Sequence, residues 1–417
     1  MPAPRDVVIT GVGVVSPIGI GREAFWAALD AGVSGVSLLP QFAGNNLPFR
    51  FGGAIKDFDP KEYVQPRKTL KVMCKEIQTA FSASVLAMQD AGLAKGAVDP
   101  DRLGVVLGSE MLYGELEEIA EAYRHSIEDG KFRSAEWVTH AMRDLFPLWM
   151  LKYLPNMAAC HIGIASDARG PNNSIVQGGA SSLLAVIEAS YVLVRGHADV
   201  MIAGGSGAPL SINALTFRPW AHFTKWQGAP EQAPRPLDAR RDGTVPGEGS
   251  ACLMLETREN AQRRGAKILA RIAGFASRFE RPPIGGAALA SAIQGALAQA
   301  GVKRQDVAHV KADAAGSVEL DAVEAQVVQQ LLGDVPVTAP KSFFGDLGAG
   351  SGAVELAACA LALGQGRVPR TLNYEVPDPR CPVNVVHGQS LASDKPVAVA
   401  LSLSHTGQAA AVVLVRE

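Results

Sequence analysis

The chain has 417 residues, of which 47% are hydrophobic and 19% are charged, and its formal net charge is −2. This composition is typical of a globular protein, and the charge offers no electrostatic basis for binding nucleic acid or an anionic membrane surface. No apolar stretch of about 18 residues lacks a charge, so no membrane-spanning helix is expected. The five cysteines are scattered, and residues 1–15 do not resemble a signal peptide, which together predict a cytoplasmic protein with reduced thiols.

Hydrophobic periodicity predicts alternating strands and helices along the chain. In chain order we expect a strand at 6–15, helices at 22–31 and 69–92, a strand at 103–107, a helix at 115–126, a helical insertion at 127–154, a long loop at 206–235 and a strand at 250–256. The basic connector that follows, residues 258–264, marks the expected boundary between an N-terminal half, 1–256, and a C-terminal half, 257–417.

Residues 169–205 have the pattern of a strand, a tight turn, a long helix and a second strand. Ser174 to Val176 are β-prone, Gly178 and Gly179 permit a sharp turn, and residues 180–195 have apolar side chains at helical spacing. An elbow of this kind exposes the residue at its tip beside the free N–H groups of a helix N-terminus, where enzymes place nucleophiles. The tip here is Gly179, which has no side chain.

The second half of the chain repeats the pattern of the first. Residues 82–108 and 288–312 both predict a helix, an Asp-containing loop and a strand, and residues 181–203 and 351–372 both predict a helix, a glycine and a strand. Two such α/β halves are each too open to bury both faces of a sheet, so we expect them to pack together as two mixed sheets between layers of helices.

The stretch 169–205 resembles the nucleophile segment of the β-ketoacyl synthases, the condensing enzymes of fatty-acid and polyketide synthesis in the thiolase superfamily. The segment PLDARRDGTVPGEG at 236–249 is a second, specific match, and the resemblance extends over nearly the whole chain. It implies an α/β fold of the thiolase-like type, with five layers, αβαβα, built from two duplicated halves.

The family's catalytic residues are largely replaced. Its reactive cysteine corresponds to Gly179, its two histidines correspond to Asp313 and Asp346, and only its lysine is retained, as Lys341. Glycine cannot form a thioester, and an ionised aspartate accepts hydrogen bonds but donates none, so it would repel an enolate. Condensing activity is therefore not expected. We also expect glycine at the elbow tip to relieve backbone strain.

Other positions are weaker candidates. The resemblance places Met111 at the end of an acyl tunnel, although a core methionine fits equally well. Cys160 and His161 are expected in a loop, NMAACHIG, and the corresponding loop of the family lies near the dimer interface and the acyl pocket. A packed loop cysteine is favoured there over a displaced nucleophile. Gly407 is retained in the closing hairpin, SHTGQAAA, which lacks the family's phenylalanines. A catalytic Gln177 is disfavoured, because this residue is expected on the strand and not at the tip of the elbow.

The sequence predicts no cofactor and no metal site. The remaining histidines show no ligand spacing. They are His125, His140, His197, His222, His309, His387 and His405.

Three functions remain open. The first is a non-catalytic ketosynthase-like subunit, similar to a chain-length factor, that pairs with an active ketosynthase paralogue and works with acyl carrier protein. The second is a divergent acyl-thioester enzyme that uses Asp313, Asp346 and Lys341 as a paired-carboxylate site, although an ion-pair cluster filling the vacated pocket is favoured. The third is an acyl-binding scaffold that pairs only with itself.

Overall fold

The structure is a computed structural model that describes residues 6–42, 50–110 and 114–417. Its strands are β1 (Val7–Ser16), β2 (Gly19–Ile20), β3 (Val36–Leu38), β4 (Phe51–Gly53), β5 (Leu103–Gly108), β6 (Ile127–Glu128), β7 (Lys131–Phe132), β8 (Asn172–Ile175), β9 (Val200–Gly207), β10 (Gly249–Thr257), β11 (Ala270–Phe279), β12 (Val307–Lys311), β13 (Pro336–Thr338), β14 (Arg367–Val368), β15 (Asn384–Val385), β16 (Leu391–Ala392), β17 (Val397–Leu403) and β18 (Gln408–Val415).

Its α-helices are α1 (Arg22–Ala31), α2 (Lys75–Asp90), α3 (Leu116–His125), α4 (Ser134–Asp144), α5 (Met157–Ser166), α6 (Ser181–Val194), α7 (Ile212–Thr216), α8 (Arg258–Arg263), α9 (Ala287–Ala300), α10 (Leu320–Leu332), α11 (Lys341–Phe344) and α12 (Ser351–Gln365). No helix in the described part of the chain is long and apolar enough to cross a membrane.

The two halves of the chain have the same sheet topology, which confirms the predicted duplication. The order in the first half is β8-β5-β9-β10-β1, and in the second half it is β13-β12-β17-β18-β11. In each half the first two pairs in this order are parallel and the last two are antiparallel.

The two sheets are hydrogen-bonded to each other, although the sequence pattern suggests separate sheets. Residues 7–9 of β1 pair antiparallel with residues 270–272 of β11, so the halves form one continuous 12-stranded sheet. The join uses the first strand of each half, which the topology leaves at the edge of its own sheet. Such an edge has unpaired backbone groups, and pairing the two edges satisfies them.

The core is layered as the thiolase-like fold requires. Helices α6 and α12 form the central layer, and their apolar side chains share one buried cluster with residues of β1, β10 and β18. Helices α2 and α5 cover the outer face of the first half, and α9 and α10 cover that of the second. Because both faces of the long strands are buried, β1, β10 and β17 are continuous apolar runs without polar alternation.

The helix, glycine and strand predicted over 351–372 are present as α12, Gly366 and the two-residue strand β14. Strand β14 pairs with β16 outside the main sheet, so the counterpart of β9 is β17. Other local predictions are wrong. The helix expected over 69–92 begins only at Lys75, after a short 3₁₀ segment, and the 127–154 insertion contains a β6–β7 hairpin before α4. The chain passes from β10 to β11 through α8, and a division between halves near residue 257 stays our interpretation.

Candidate functional site

A cavity of about 600 Å³ lies where the two halves meet. Its walls come from the N-terminus of α6 in the first half and from the segments that follow β12, β13 and β17 in the second. Gly179, Asp313, Lys341 and Asp346 all line this cavity. A crevice beyond the carboxyl ends of parallel strands is the usual position of a ligand site in α/β proteins.

The elbow at α6 holds Gly179 in an ordinary backbone conformation. The left-handed φ, 56°, belongs to Gly178, and Gly179 lies outside the left-handed region. The hydroxyl of Ser181 fixes the turn: it accepts from the backbone N–H of Gln177 at 2.8 Å and donates to the carbonyl oxygen of Gly178 at 2.6 Å. The expectation that glycine at position 179 relieves strain is therefore wrong, because the strained position is the preceding residue.

The space beside Gly179 is open. A Cβ atom built on this residue meets no heavy atom within 4 Å. A side chain is thus compatible with the local packing and is simply missing. At position 179 the cavity wall therefore offers no side-chain nucleophile.

Asp313 is bound by cationic and backbone donors. Its Oδ1 lies 2.5 Å from the ammonium of Lys341, which also donates to the Asp313 carbonyl oxygen at 2.7 Å. Its Oδ2 accepts from the backbone N–H of Leu403 at 3.0 Å. These bonds use two of the three ammonium protons of Lys341 on Asp313, whose carboxylate only accepts.

Lys341 is held in its charged form. Burial on its own would lower the pKa of Lys341, but the carboxylates of Asp313, Glu355 and Asp346 raise it above the ordinary lysine value. The ammonium also lies 3.8 Å from Glu355, whose carboxylate bonds the fully buried Lys311. An ammonium in this environment is a poor proton acceptor, so Lys341 is unsuited to act as a general base.

Asp346 has its own set of partners on the other side of the cavity. Its Oδ1 accepts from the backbone N–H of Gly348 at 3.1 Å and from the hydroxyl of Ser351 at 3.0 Å. Burial would raise the pKa of Asp346, but Lys341, Arg218 and these hydrogen bonds lower it below the usual range. Asp313 and Asp346 are therefore held separately, and no contact shows them sharing one proton.

Glu324 is a buried carboxyl group beside Asp313. Burial and the nearby charge of Asp313 raise the pKa of Glu324 to about 8. Its Oε1 accepts from the backbone N–H of Asp313 at 2.7 Å. Glu324 also lines the cavity, so a carboxyl group with a raised pKa faces this space.

The tertiary structure brings further polar residues to the cavity that the sequence does not single out. Arg218 donates to Glu110 at 2.9 Å and lies 4.0 Å from Asp346. His222 and His405, which show no ligand spacing in the sequence, face each other with ring centroids 6.1 Å apart. The only sequence signal for His405 was its place in the altered closing hairpin.

Three of the other sequence candidates, Cys160, His161 and Gly407, do not line this cavity. Cys160 and His161 lie in helix α5 and not in a loop, and burial lowers the pKa of His161. Gly407 is in the β17–β18 turn at φ 99°, where a Cβ would clash with the carbonyl oxygen of Glu280, so glycine is required there for backbone reasons. Met111 lies outside the described residues.

Comparison with known protein families identifies the scaffold. The model of the β-ketoacyl synthase N-terminal domain matches residues 4–261, and that of the C-terminal domain matches residues 269–375. The chain belongs to the β-ketoacyl synthase family. Three similar proteins illustrate the range of this family.

A 3-oxoacyl-acyl-carrier-protein synthase 2 from Synechocystis sp. is 32% identical, over 97% of this chain and 96% of its own length. The solved ishigamide ketosynthase/chain length factor is 25% identical with a TM-score of 0.88 and covers 100% of both chains. A ketosynthase bound to a hexaketide, solved with its type II polyketide synthase acyl-carrier protein, is 27% identical with a TM-score of 0.82 and covers 99% of this chain and 100% of its own.

Proposed function

We propose that this β-ketoacyl synthase homologue is a non-catalytic subunit, similar to a chain-length factor, that pairs with an active ketosynthase in fatty-acid or polyketide synthesis. The observation that carries the proposal is the open space beside Gly179: the scaffold of the nucleophile elbow is intact, but the atom that would hold the acyl group is missing. A cavity of about 600 Å³ nevertheless persists next to it.

The charges around the cavity support the same conclusion. The enolate that forms during condensation needs hydrogen-bond donors at the reacting centre. At the two family histidine positions this chain has Asp313, which accepts from Lys341 and Leu403, and Asp346, which is held ionised. Both carboxylates would raise the energy of a nearby enolate, so the cavity walls are unsuited to condensation and remain suited to shaping a chain.

The proposed partners follow from the relatives. One similar structure is a ketosynthase/chain length factor, and another is a ketosynthase in complex with an acyl-carrier protein. We infer that this chain pairs with a paralogue that retains the cysteine, or with itself, and that acyl carrier protein delivers the chain to the pair. A cytoplasmic location is part of the same proposal.

Co-expression with a cysteine-containing ketosynthase of the same organism tests the proposal. We expect a heterodimer that elongates an acyl-carrier-protein substrate, with no elongation by either chain alone. Replacing the partner's active cysteine by alanine should abolish elongation. The matched change in this chain, Gly179→Ala, adds a methyl group in open space and should keep the rate within about twofold. Elongation by this chain alone, or a failure to pair, contradicts the proposal.

A divergent acyl-thioester enzyme is the second candidate, and two observations favour it. The cavity lining includes Glu324, whose pKa is raised, and the imidazoles of His222 and His405. The candidate requires that the pure chain turn over acyl-carrier-protein or coenzyme A thioesters and that Asp313→Asn or the double variant His222→Ala/His405→Ala abolish turnover. An inactive homodimer that binds a long acyl chain would instead indicate an acyl-binding scaffold.

A further inference from the structure

Two histidines and an aspartate converge on the insertion that follows β5, at a site distinct from the cavity described above. Helix α3 ends at His125, the β6–β7 hairpin reverses the chain, and α4 packs beside α3 with His140 and Asp144 one turn apart on its surface. The imidazole centroids are 5.4 Å apart, and one nitrogen or oxygen from each of the three side chains lies within 4.8 Å of the others. The sequence spacing did not reveal this group because the hairpin brings its members together.

The hydrogen bonds within this cluster conflict with one another. The Nδ1 atom of His125 lies 2.7 Å from Oδ2 of Asp144, which requires a proton on that nitrogen. The same Nδ1 lies 3.1 Å from Nη2 of Arg143, which requires a lone pair. One nitrogen cannot satisfy both neighbours.

The guanidinium of Arg143 stands where several lone pairs meet. Its Nη2 atom is 3.0 Å from Nδ1 of His140 and 3.2 Å from Oδ2 of Asp144, in addition to its contact with His125. Two imidazole nitrogens and a carboxylate oxygen therefore surround a single cationic nitrogen. Two imidazole nitrogens and a carboxylate oxygen are typical ligands of a metal ion, and here Nη2 of Arg143 occupies the position that the ion would take.

We propose that His125, His140 and Asp144 form a binding site for a borderline divalent metal ion such as Zn²⁺. Both imidazoles coordinate through Nδ1, and the aspartate coordinates through its carboxylate. Nδ1 of His125 then needs only a lone pair, because it and Asp144 both bind the metal ion and no longer need a proton between them. Three protein ligands leave the fourth tetrahedral position to water. Bonds of about 2.0–2.2 Å place tetrahedral ligand atoms about 3.4 Å apart, which side-chain adjustments can reach from the present separations.

Two neighbouring side chains fit the proposal. Glu136 lies one turn before His140 on α4, with its carboxylate 3.9 Å from Nε2 of His140. A carboxylate on the far nitrogen of a metal-bound histidine is the usual outer contact, because it fixes the tautomer that leaves Nδ1 free to coordinate. The side chain of Arg143 is 59% exposed, so it can move into solvent when a metal enters.

Metal titration of the full-length chain, stripped with a chelator, tests the site. We expect calorimetry to show one Zn²⁺ ion per chain and Co²⁺ to give the visible absorption of a tetrahedral nitrogen–oxygen site. His125→Ala and His140→Ala should each weaken binding at least about tenfold. His197→Ala, at an exposed histidine elsewhere, should leave it unchanged. Arg143→Ala should bind at least as tightly as the parent, since the competing cation is removed.

Circular dichroism of each variant checks that the fold is kept. Absence of saturable binding by the parent chain overturns the proposal, and so does equal binding by the double variant His125→Ala/His140→Ala. A cobalt spectrum with thiolate charge-transfer bands would assign the ion to cysteines and would overturn it as well.

Discussion

At the scale of single residues, two carboxylates of the cavity are held as hydrogen-bond acceptors. Asp313 accepts from Lys341 at 2.5 Å, and Asp346 accepts from the hydroxyl of Ser351 at 3.0 Å. Each carboxylate has a cation and a backbone or hydroxyl donor beside it, which offsets the cost of removing the charge from water. The two buried carboxylates are thus compatible with a stable fold.

His309 on β12 is a second residue whose environment has a measurable consequence. Its side chain is buried, its Nδ1 has no hydrogen-bond partner, and burial lowers the pKa of His309 to about 4. An unfolded histidine has a pKa of about 6.5, so between these values the unfolded state binds more protons than the folded state. The contribution of this residue to stability is therefore complete above pH 6.5 and is lost as the pH falls towards 4.

We predict that His309→Leu removes this part of the pH dependence. The free energy of unfolding of the parent, measured with urea, should fall relative to that of the variant by about 3 kcal/mol between pH 6.5 and pH 4. The comparison uses the change with pH, so any uniform effect of the substitution cancels. His197→Leu, at an exposed position, should leave the dependence as in the parent; a parallel pair of curves for parent and His309→Leu would contradict the prediction.

At the scale of elements, the turn before α6 separates two glycines that the sequence presents as equivalent. Gly178 has a left-handed φ of 56°, which a residue with a Cβ adopts at a cost, whereas Gly179 has an ordinary φ and open space in front of it. The elbow therefore tolerates a side chain at its tip and requires glycine at the position before it.

This difference predicts opposite outcomes for two cysteine variants. Gly179→Cys should change the free energy of unfolding by less than about 0.5 kcal/mol, while Gly178→Cys should lower it by about 1–2 kcal/mol. The new thiol at position 179 faces the cavity at a helix N-terminus, so mass spectrometry after iodoacetamide treatment should show one more rapid alkylation than in the parent. Equal destabilisation by both variants, or no additional alkylation, would show that the turn is built differently.

At the scale of the whole molecule, the two halves share their core. Side chains of α6 from the first half and α12 from the second lie in one buried cluster, and β1 and β11 join the sheets. Neither half can therefore expose its inner face without disrupting the other. We expect the chain to unfold as one cooperative unit despite its internal duplication.

The tryptophans make this prediction easy to test. All five precede residue 227, so tryptophan fluorescence reports on the first half alone, whereas far-ultraviolet circular dichroism reports on both. The two signals should give the same urea midpoint and slope, within experimental error. A circular dichroism transition that continues after the fluorescence change is complete would show that the C-terminal half is stable by itself.

The sequence by itself determined the features that depend on residues close together in the chain. The duplicated helix–strand patterns and the glycine turn before α6 are local, so periodicity and motif resemblance were sufficient to predict the family and the fold. The correspondence of Gly179, Asp313 and Asp346 to the family's catalytic residues stays a prediction. Local predictions were wrong where packing overrides pattern, as at the start of α2 and at the segment around Cys160, which is helical.

Only the tertiary structure decided which distant residues share one site. Arg218, His222 and His405 reach the cavity from different segments, and His125 meets His140 because a hairpin folds α4 back on α3. The partner of Lys341 and the join between β1 and β11 were likewise invisible in the sequence. Contacts of this kind are set by how sheets and helices pack, and residues brought together by packing have no fixed spacing in the chain.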